Sequence, residues 1–504
     1  MSAVAADAPV SEGTGARVSP NAALFALARF EARRLLTRVP VVVALVTYAA
    51  WIVWRTPGSW DGYPALQDAD RDTQAMPMLV GLAVLVCANF AALRPGRHGT
   101  EQHLGVLAMP PWRRTAAHAL SVVPAALLTA VCVGGQFTWE ALKPGAVGHG
   151  SPAELAVGPL VVLAAGTIGV LVASVVRSPV AAPLLVVPLL YVLVLGSASG
   201  GADGVSWLAP VVVESGGGAL PSGLLGRPAA WHALYLAGVA LCAAFLAVLR
   251  ARGRSVAVRT GVALTLALAV AGGVLQARGA QPSPELTAAR ERAVSDPDLR
   301  CTERGRSTYC AFPEWTPRVD AWAGVVDRVQ ALAGGSVHER RLVVGQRIGA
   351  ADLVSDAAIP PWSEAGRVTV GTAWGGNRVP EFSSAVAAVL VTGSERAGGE
   401  LCDGRMVTLM WLSLSWQDDP MDALRRVRLD DSVSGPAIVL SPTEPLSMTA
   451  GQTDVVRRLL DKPAGGTGER VKAHWDELTE PGVTTARAAE LLGVAGPREA
   501  DSCE

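Results

Sequence analysis

The run Leu155–Val176, LAVGPLVVLAAGTIGVLVASVV, holds 22 residues without an Asp, Glu, Lys or Arg. A helix needs about 20 such residues to cross the hydrocarbon core of a bilayer. Six more charge-free runs of comparable length accompany it: Val39–Trp54, Thr73–Leu93, Thr115–Trp139, Ser178–Ala202, Pro228–Leu249 and Thr260–Ala277. One such run could be the buried helix of a soluble core, but seven in the first 277 residues exceed anything a soluble core covers. The shortest, Val39–Trp54, is flanked by Arg38 and Arg55, which can snorkel to the headgroups, and Trp51 and Trp54 suit the interface.

The rest of the chain differs. Of 504 residues, 50% are hydrophobic and 17% charged, with 43 basic against 44 acidic side chains. Residues 1–277 hold 18 basic and 12 acidic groups, whereas residues 278–504 hold 25 and 32. The near-neutral total is thus an average of a positive membrane part and a negative tail. Arginine placement sets the orientation. With the N-terminus inside, fourteen arginines fall in inner segments (Arg17, Arg29, Arg33, Arg34, Arg38, Arg94, Arg97, Arg113, Arg114, Arg177, Arg250, Arg252, Arg254, Arg259), against four basic residues in outer loops (Arg55, Arg71, Lys143, Arg227). Such a bias predicts a cytoplasmic N-terminus and, after seven crossings, a tail outside.

The expected organisation is a disordered cytoplasmic leader over 1–20, a transmembrane domain over 21–277, a polar linker over 278–298 and an extracytoplasmic α+β domain over 299–504. The fold class is mostly α: a polytopic bundle of about seven spans followed by that domain. Cys301, Cys310, Cys402 and Cys503 all lie in the tail, an even number in what should be an oxidising compartment. Cys301 and Cys310 could close a short loop, while four cysteines allow three connectivities and free thiols are the alternative. In the tail, Pro317–Leu332 has one apolar helical face. Arg341–Ile348, Arg367–Thr372, Ala385–Val391, Met406–Leu414 and Pro436–Leu440 read as strands or buried segments. Thr453–Leu460, Glu469–Leu478 and Thr485–Leu492 read as helices.

Two inner elements stand out. Residues 21–38, NAALFALARFEARRLLTR, carry Leu24, Leu27, Phe30 and Leu35 beside Arg29, Glu31, Arg33 and Arg34, as expected of an interfacial helix that turns into the membrane. Residues 94–120 combine a turn at Arg94–Gly96, a short helical stretch from Thr100 to Ala108, and Met109–Pro110–Pro111–Trp112, whose prolines break any helix entering them.

Together these features resemble the membrane permease subunits of bacterial ABC transporters of the exporter type. The resemblance covers about residues 21–250. It rests on the elbow-like Leu27–Arg38, on Gly99–Thr100–Glu101, Leu107 and Pro110–Pro111–Trp112–Arg113 after the second span, and on the order of the spans. It implies that loop 94–115, with Gly99, Thr100, Glu101, Leu107, Pro110, Pro111, Trp112 and Arg113, couples to a separate ATPase subunit, and that the permease works as a dimer in the cell membrane. The seventh span and the tail depart from the family's usual six.

No G-x-x-x-x-G-K-[ST] occurs, since the three lysines sit in Leu142–Lys143–Pro144, Asp461–Lys462–Pro463 and Val471–Lys472–Ala473. Nucleotide hydrolysis is therefore expected in the partner. No enzymatic activity, cofactor or metal is expected of this chain. Asp418, Asp419, Asp422, Asp430 and Asp431 read as solvated loops rather than a calcium site. Thr484–Val494 resembles the first helix of an excisionase-type DNA-binding domain, but no basic recognition helix follows and the tail is acidic, so nucleic acid is not an expected partner. Polar residues inside spans, Asn89, His118, Gln136, Thr167 and Tyr191, are either pathway residues or packing links. A membrane anchor displaying a receptor or assembly domain is the alternative to the transporter reading.

Overall fold

In a computed structural model, residues 20–55, 63–97, 109–198, 206–212, 219–279, 282–349 and 359–497 are described. The chain is mostly helical. Helix α1 (Pro20–Leu36) ends where Thr37 turns its hydroxyl back onto the carbonyls of Arg33 and Arg34, and α2 (Val39–Arg55) leaves at 64°. Proline at the second position of α2 suits a helix start, where the missing N–H has no partner to lose. Helices α3 (Leu66–Asp72), α4 (Ala75–Arg97), α5 (Pro111–Leu120), α6 (Val123–Ala141), α7 (Pro152–Val175), α8 (Ala181–Ala198), α9 (Ala229–Arg250) and α10 (Val256–Gly279) complete the apolar part.

Among the described residues, five helical stretches are long and apolar enough to cross a bilayer: Leu66–Gly96, Pro111–Ala141, Pro152–Val175, Ala229–Arg250 and the stretch starting at Val256 that contains α10. The bent α1–α2 pair brings the number to six. Against seven expected crossings, the first is one arm of that bent pair. The fifth, Ser178–Ala202, is helical over Ala181–Ala198 and then leaves the described residues.

The bundle is built around α7, which buries Val157, Gly158, Val161, Val162, Gly166, Gly169 and Val170 between α4, α6 and α9. Glycine is what permits the approach. A methyl group on Gly169 would stand 2.3 Å from the carbonyl oxygen of Leu85, and one on Gly166 would stand 2.4 Å from Val122. Small residues admit such contact where no hydrophobic force separates helix from lipid. Helix α10 holds to α9 the same way: a Cβ on Gly238 would lie 2.5 Å from the Ala269 nitrogen, and one on Gly272 would lie 2.7 Å from that of Tyr235. Gly134 and Gly135 have open space around them instead. Since α10 leans on α9 and the short turn Ser206–Leu208, Gly238→Leu is expected to release it. Cross-linking between cysteines placed on α9 and α10 should fall sharply, while the same variant at Gly134 should leave the bundle intact.

The C-terminal domain follows α11 (Pro284–Ser295), a helix inside the expected linker whose N-terminus is capped by Ser283. Strands β1 (Arg300–Arg304), β2 (Ser307–Ala311), β3 (Val343–Gln346) and β4 (Arg367–Val370) form one sheet in that order, with β1 antiparallel to β2 and the other pairs parallel. Cys301 and Cys310 face each other across β1–β2 and are bonded. Cys402 is disulfide-bonded as well, and Cys503 lies outside the described residues.

Helix α12 (Val319–Leu332) presents Trp322, Val325, Val326 and Val329 to the core. Helices α13 (Arg378–Thr392) and α14 (Arg405–Leu414) are buried over nearly their whole length. They contain the runs Ala385–Val391 and Met406–Leu414, whose helical state the sequence leaves open: a segment apolar on every side displays neither a period of two nor of 3.6. Around them lie α15 (Pro420–Val427), the hairpin of β5 (Ala437–Val439) and β6 (Leu446–Met448), α16 (Ala450–Leu460) with a Thr449/Gln452 capping box, α17 (Ala464–Ala473), and α18 (Thr485–Leu492). The Glu469–Leu478 pattern is broken at His474 into two helices. Helix α18, the look-alike of a DNA-binding helix, buries Ala488, Ala489 and Leu492 in this core.

Glu395 is 3% exposed and accepts from the backbone and hydroxyl of Thr369 and from the backbone of Trp362. Burial holds its pKa above the ordinary carboxylate value in spite of these donors. A raised folded pKa gives stability that is present below the unfolded value and lost as pH rises through the folded one. The melting temperature of the wild type relative to Glu395→Gln is therefore expected to fall as pH is raised from 4 towards 7. A flat or rising difference would contradict a buried, reluctantly ionised carboxyl.

Candidate functional site: a basic end and a docked end

Two ends of the bundle carry distinct chemistry. At one, α5 starts on Pro110–Pro111, with the amide of Arg113 bonded to the Pro110 carbonyl. The Arg113 guanidinium lies 5.0 Å from the Trp112 ring centroid. Trp112 abuts the α9–α10 turn, where Arg252 has a positive φ of 70° and a Cβ on Gly253 would come within 3.1 Å of the Trp112 Cβ. Helix α1 packs along α5. Of the residues expected to couple to a partner, Pro110, Pro111, Trp112 and Arg113 thus form the start of α5, with Trp112 beside the α9–α10 turn. Gly99, Thr100, Glu101 and Leu107 lie outside the described residues.

Helix α1 turns some of its residues to the bundle and others away from it. Phe30 is 57% exposed, and the inward residues are Ala28, Glu31, Ala32 and Leu35. Glu31 is turned into the bundle, where Arg94 of α4 meets both of its oxygens at 3.2 and 3.4 Å. A carboxylate taken out of water needs such a partner. Arg29, Arg33 and Arg34 stay on the outside.

Inside the bundle, several polar side chains are hydrogen-bonded, some to backbone carbonyls and some to each other. Asn89 donates to the Gly169 carbonyl at 3.1 Å, Tyr48 to Gln136 at 3.2 Å, and Thr167 to the Leu163 and Ala164 carbonyls. His232 and Gln276 pair at 3.0 Å. Asn89, Gln136 and Thr167 are thus each bonded within the bundle, and Tyr191 is exposed. His118 keeps a buried Nδ1 without a hydrogen bond. Among the described residues, no group of three His, Cys, Asp or Glu side chains stands close enough to hold a metal ion.

At the other end, the C-terminal domain packs on the connections α2–α3, α6–α7 and α8–α9. These are the three that the arginine distribution assigns to the side away from the basic end. Ala65 and Val147, bridged to each other, enter the hydrophobic core of the tail. Arg318, 1% exposed, donates to the carbonyls of Thr372, Gly145 and Tyr63, which joins the tail to two of these connections. Glu314 accepts from Ser222, Arg290 donates to the carbonyls of Leu224 and Leu225, and Trp374 meets Tyr63 edge to face. Beneath them Asp70 accepts from the Ser151 amide at 2.7 Å, and Gln74 donates to Glu154.

Sequence reading did not find this joint. Its members lie 173 and 255 residues apart along the chain, so no spacing announces them. The acidic residues of the tail have local roles: Asp419 caps α15 and Asp430 grips Arg428. Neither a family model, nor a curated protein, nor a solved structure matches the chain.

Proposed function

We propose that the chain is the membrane-spanning subunit of an ATP-driven exporter. It takes up the motion of a separate P-loop ATPase subunit through loop 94–115 and works as a dimer. In this reading it is a multi-pass protein of the cell membrane that crosses seven times, with a cytoplasmic N-terminus and an extracytoplasmic C-terminal domain. The observation that carries the reading is the packing of α1 on α5 and of Trp112 on the α9–α10 turn. A push on the Pro110–Arg113 corner would be passed to three helices at once. An exposed Glu101 ion pair contributes only about 0–1 kcal/mol, so apolar contact at Trp112 has to supply much of the docking energy.

The experiment is co-purification with the product of a neighbouring reading frame that encodes a P-loop ATPase. Retention is expected for the wild type, with a loss of about tenfold for Glu101→Ala combined with Trp112→Ala. A second reading, a membrane anchor that displays its C-terminal domain, is favoured by the hydrogen bonds that hold Asn89, Gln136 and Thr167 within the bundle. Absence of any associated ATPase would select it. Orientation has its own check: after reduction, an impermeant thiol reagent is expected to label Cys301 and Cys310 in intact cells, and labelling only after permeabilisation would reverse the topology.

A further inference from the structure

Where α1 crosses the α5–α6 corner there is an open groove of about 380 Å³. Phe25, Ala32 and Leu36 of α1 and Val123 of α6 line it, and Arg29 and Arg33 stand beside them. The groove faces outward, with Phe25 62% exposed. Arg29 and Arg33 are four residues apart and so lie on one side of the helix, about one turn from each other. Neither forms an ion pair among the described residues. The one carboxylate of α1, Glu31, is turned inward and held by Arg94.

We propose that this groove binds one anionic phospholipid of the leaflet in which α1 lies. The two guanidinium groups take the headgroup phosphate, and the apolar trough takes a stretch of acyl chain. Arginine matches phosphate by paired charge-assisted hydrogen bonds, and its attraction is strengthened at a negatively charged leaflet. The two kinds of surface side by side define the ligand. A free phosphate has no use for a trough of Phe25, Ala32, Leu36 and Val123. A neutral lipid or an apolar helix has no use for two uncompensated cations. A second copy of this chain would bring the same two arginines and repel them. The inference rests on membrane insertion of the helices and not on transport, so it stands or falls apart from the ATPase experiment.

The test uses the full chain purified in a neutral detergent, with phosphatidylglycerol, phosphatidylcholine or inorganic phosphate added, and bound lipid counted by native mass spectrometry. One phosphatidylglycerol per chain is expected. Arg29→Gln with Arg33→Gln should lower its retention about thirty-fold, from roughly fivefold for each cationic side chain near an anionic surface. Arg29→Lys with Arg33→Lys should restore part of it, which separates lost charge from misfolding. Val123→Trp, which fills the trough and leaves both arginines, should also release the lipid. Phosphatidylcholine should bind weakly to every form, and inorganic phosphate should not displace the lipid. Equal retention by the double glutamine variant, unchanged retention by Val123→Trp, or full displacement by phosphate would each overturn the proposal. So would loss of a dimer, in place of loss of lipid, on filling the trough, which would give the groove to a second copy.

Discussion

Arg318→Ala is expected to undock the C-terminal domain from the bundle without melting it. The substitution removes one side chain that is 1% exposed and, with it, the hydrogen bonds to the Gly145 and Tyr63 carbonyls across the joint; the Thr372 carbonyl, within the tail, keeps the Trp315 indole as a donor. Hydrogen bonds to a charged donor contribute about 1.5–3 kcal/mol each, and they are not additive when one group makes them all. A cost of ~3–5 kcal/mol follows for the docked state. Amide exchange in the segments around Tyr63 and Gly145 should accelerate by about a hundredfold or more, since 1.4 kcal/mol is a factor of ten. The exchange rates of α13 and α14 should hardly change. Arg318→Lys should recover little, because a point charge on a flexible stem cannot reach three carbonyls fixed in different directions. Unchanged exchange around Gly145 would show that Ala65, Val147 and the Trp374–Tyr63 contact hold the joint by themselves.

Trp411→Ala has the opposite signature. Trp411 lies fully buried at the middle of α14, which packs against α13, α16 and α18. Removing a buried tryptophan side chain costs about 3–5 kcal/mol through lost transfer energy and the cavity left behind. For a domain of some 200 residues that corresponds to a fall of roughly 10 °C in its melting temperature. Here α13, α14 and α18 should lose protection together, and the bundle should remain as it is. Calorimetry of the two variants therefore distinguishes a fault in the hinge from a fault in the domain it holds. A single shared transition shifted equally by both would mean that tail and bundle unfold as one unit.

The comparison of sequence with structure divides along a physical line. Charge-free length reports on helices able to cross a bilayer, and the runs beginning at Thr73, Thr115, Leu155, Pro228 and Thr260 each lie, to within a residue or two, inside a long helical stretch. Caps and local periodicity are also readable from neighbours. Thr485–Leu492 is the helix its pattern indicates, bounded by Thr484 and by Gly493 in the left-handed region. The strands Val343–Gln346 and Arg367–Val370 lie within the apolar runs that signalled them. What escapes is information carried by partners distant in sequence. Glu31 looks like one more interfacial charge until Arg94 is brought beside it. Gly166 and Gly134 are indistinguishable as letters; one lies against Val122 and the other against nothing. At the basic end the sequence offers a motif, and the structure adds its surroundings only for Pro110 to Arg113.

The connection that ties the tail to the last helix has a thermodynamic consequence. Only four residues separate Gly279 from Pro284, where α11 begins before the sheet. A short tether confines the tail near its docking loops at an effective concentration on the order of millimolar. A surface that would bind in trans with a micromolar dissociation constant is then occupied about a thousand times more often than it is empty. The joint at Arg318 can accordingly be weak as an interface and still be closed nearly all the time. Opening it takes a modest free energy, of the size that a ligand or a shift of the outer loops supplies.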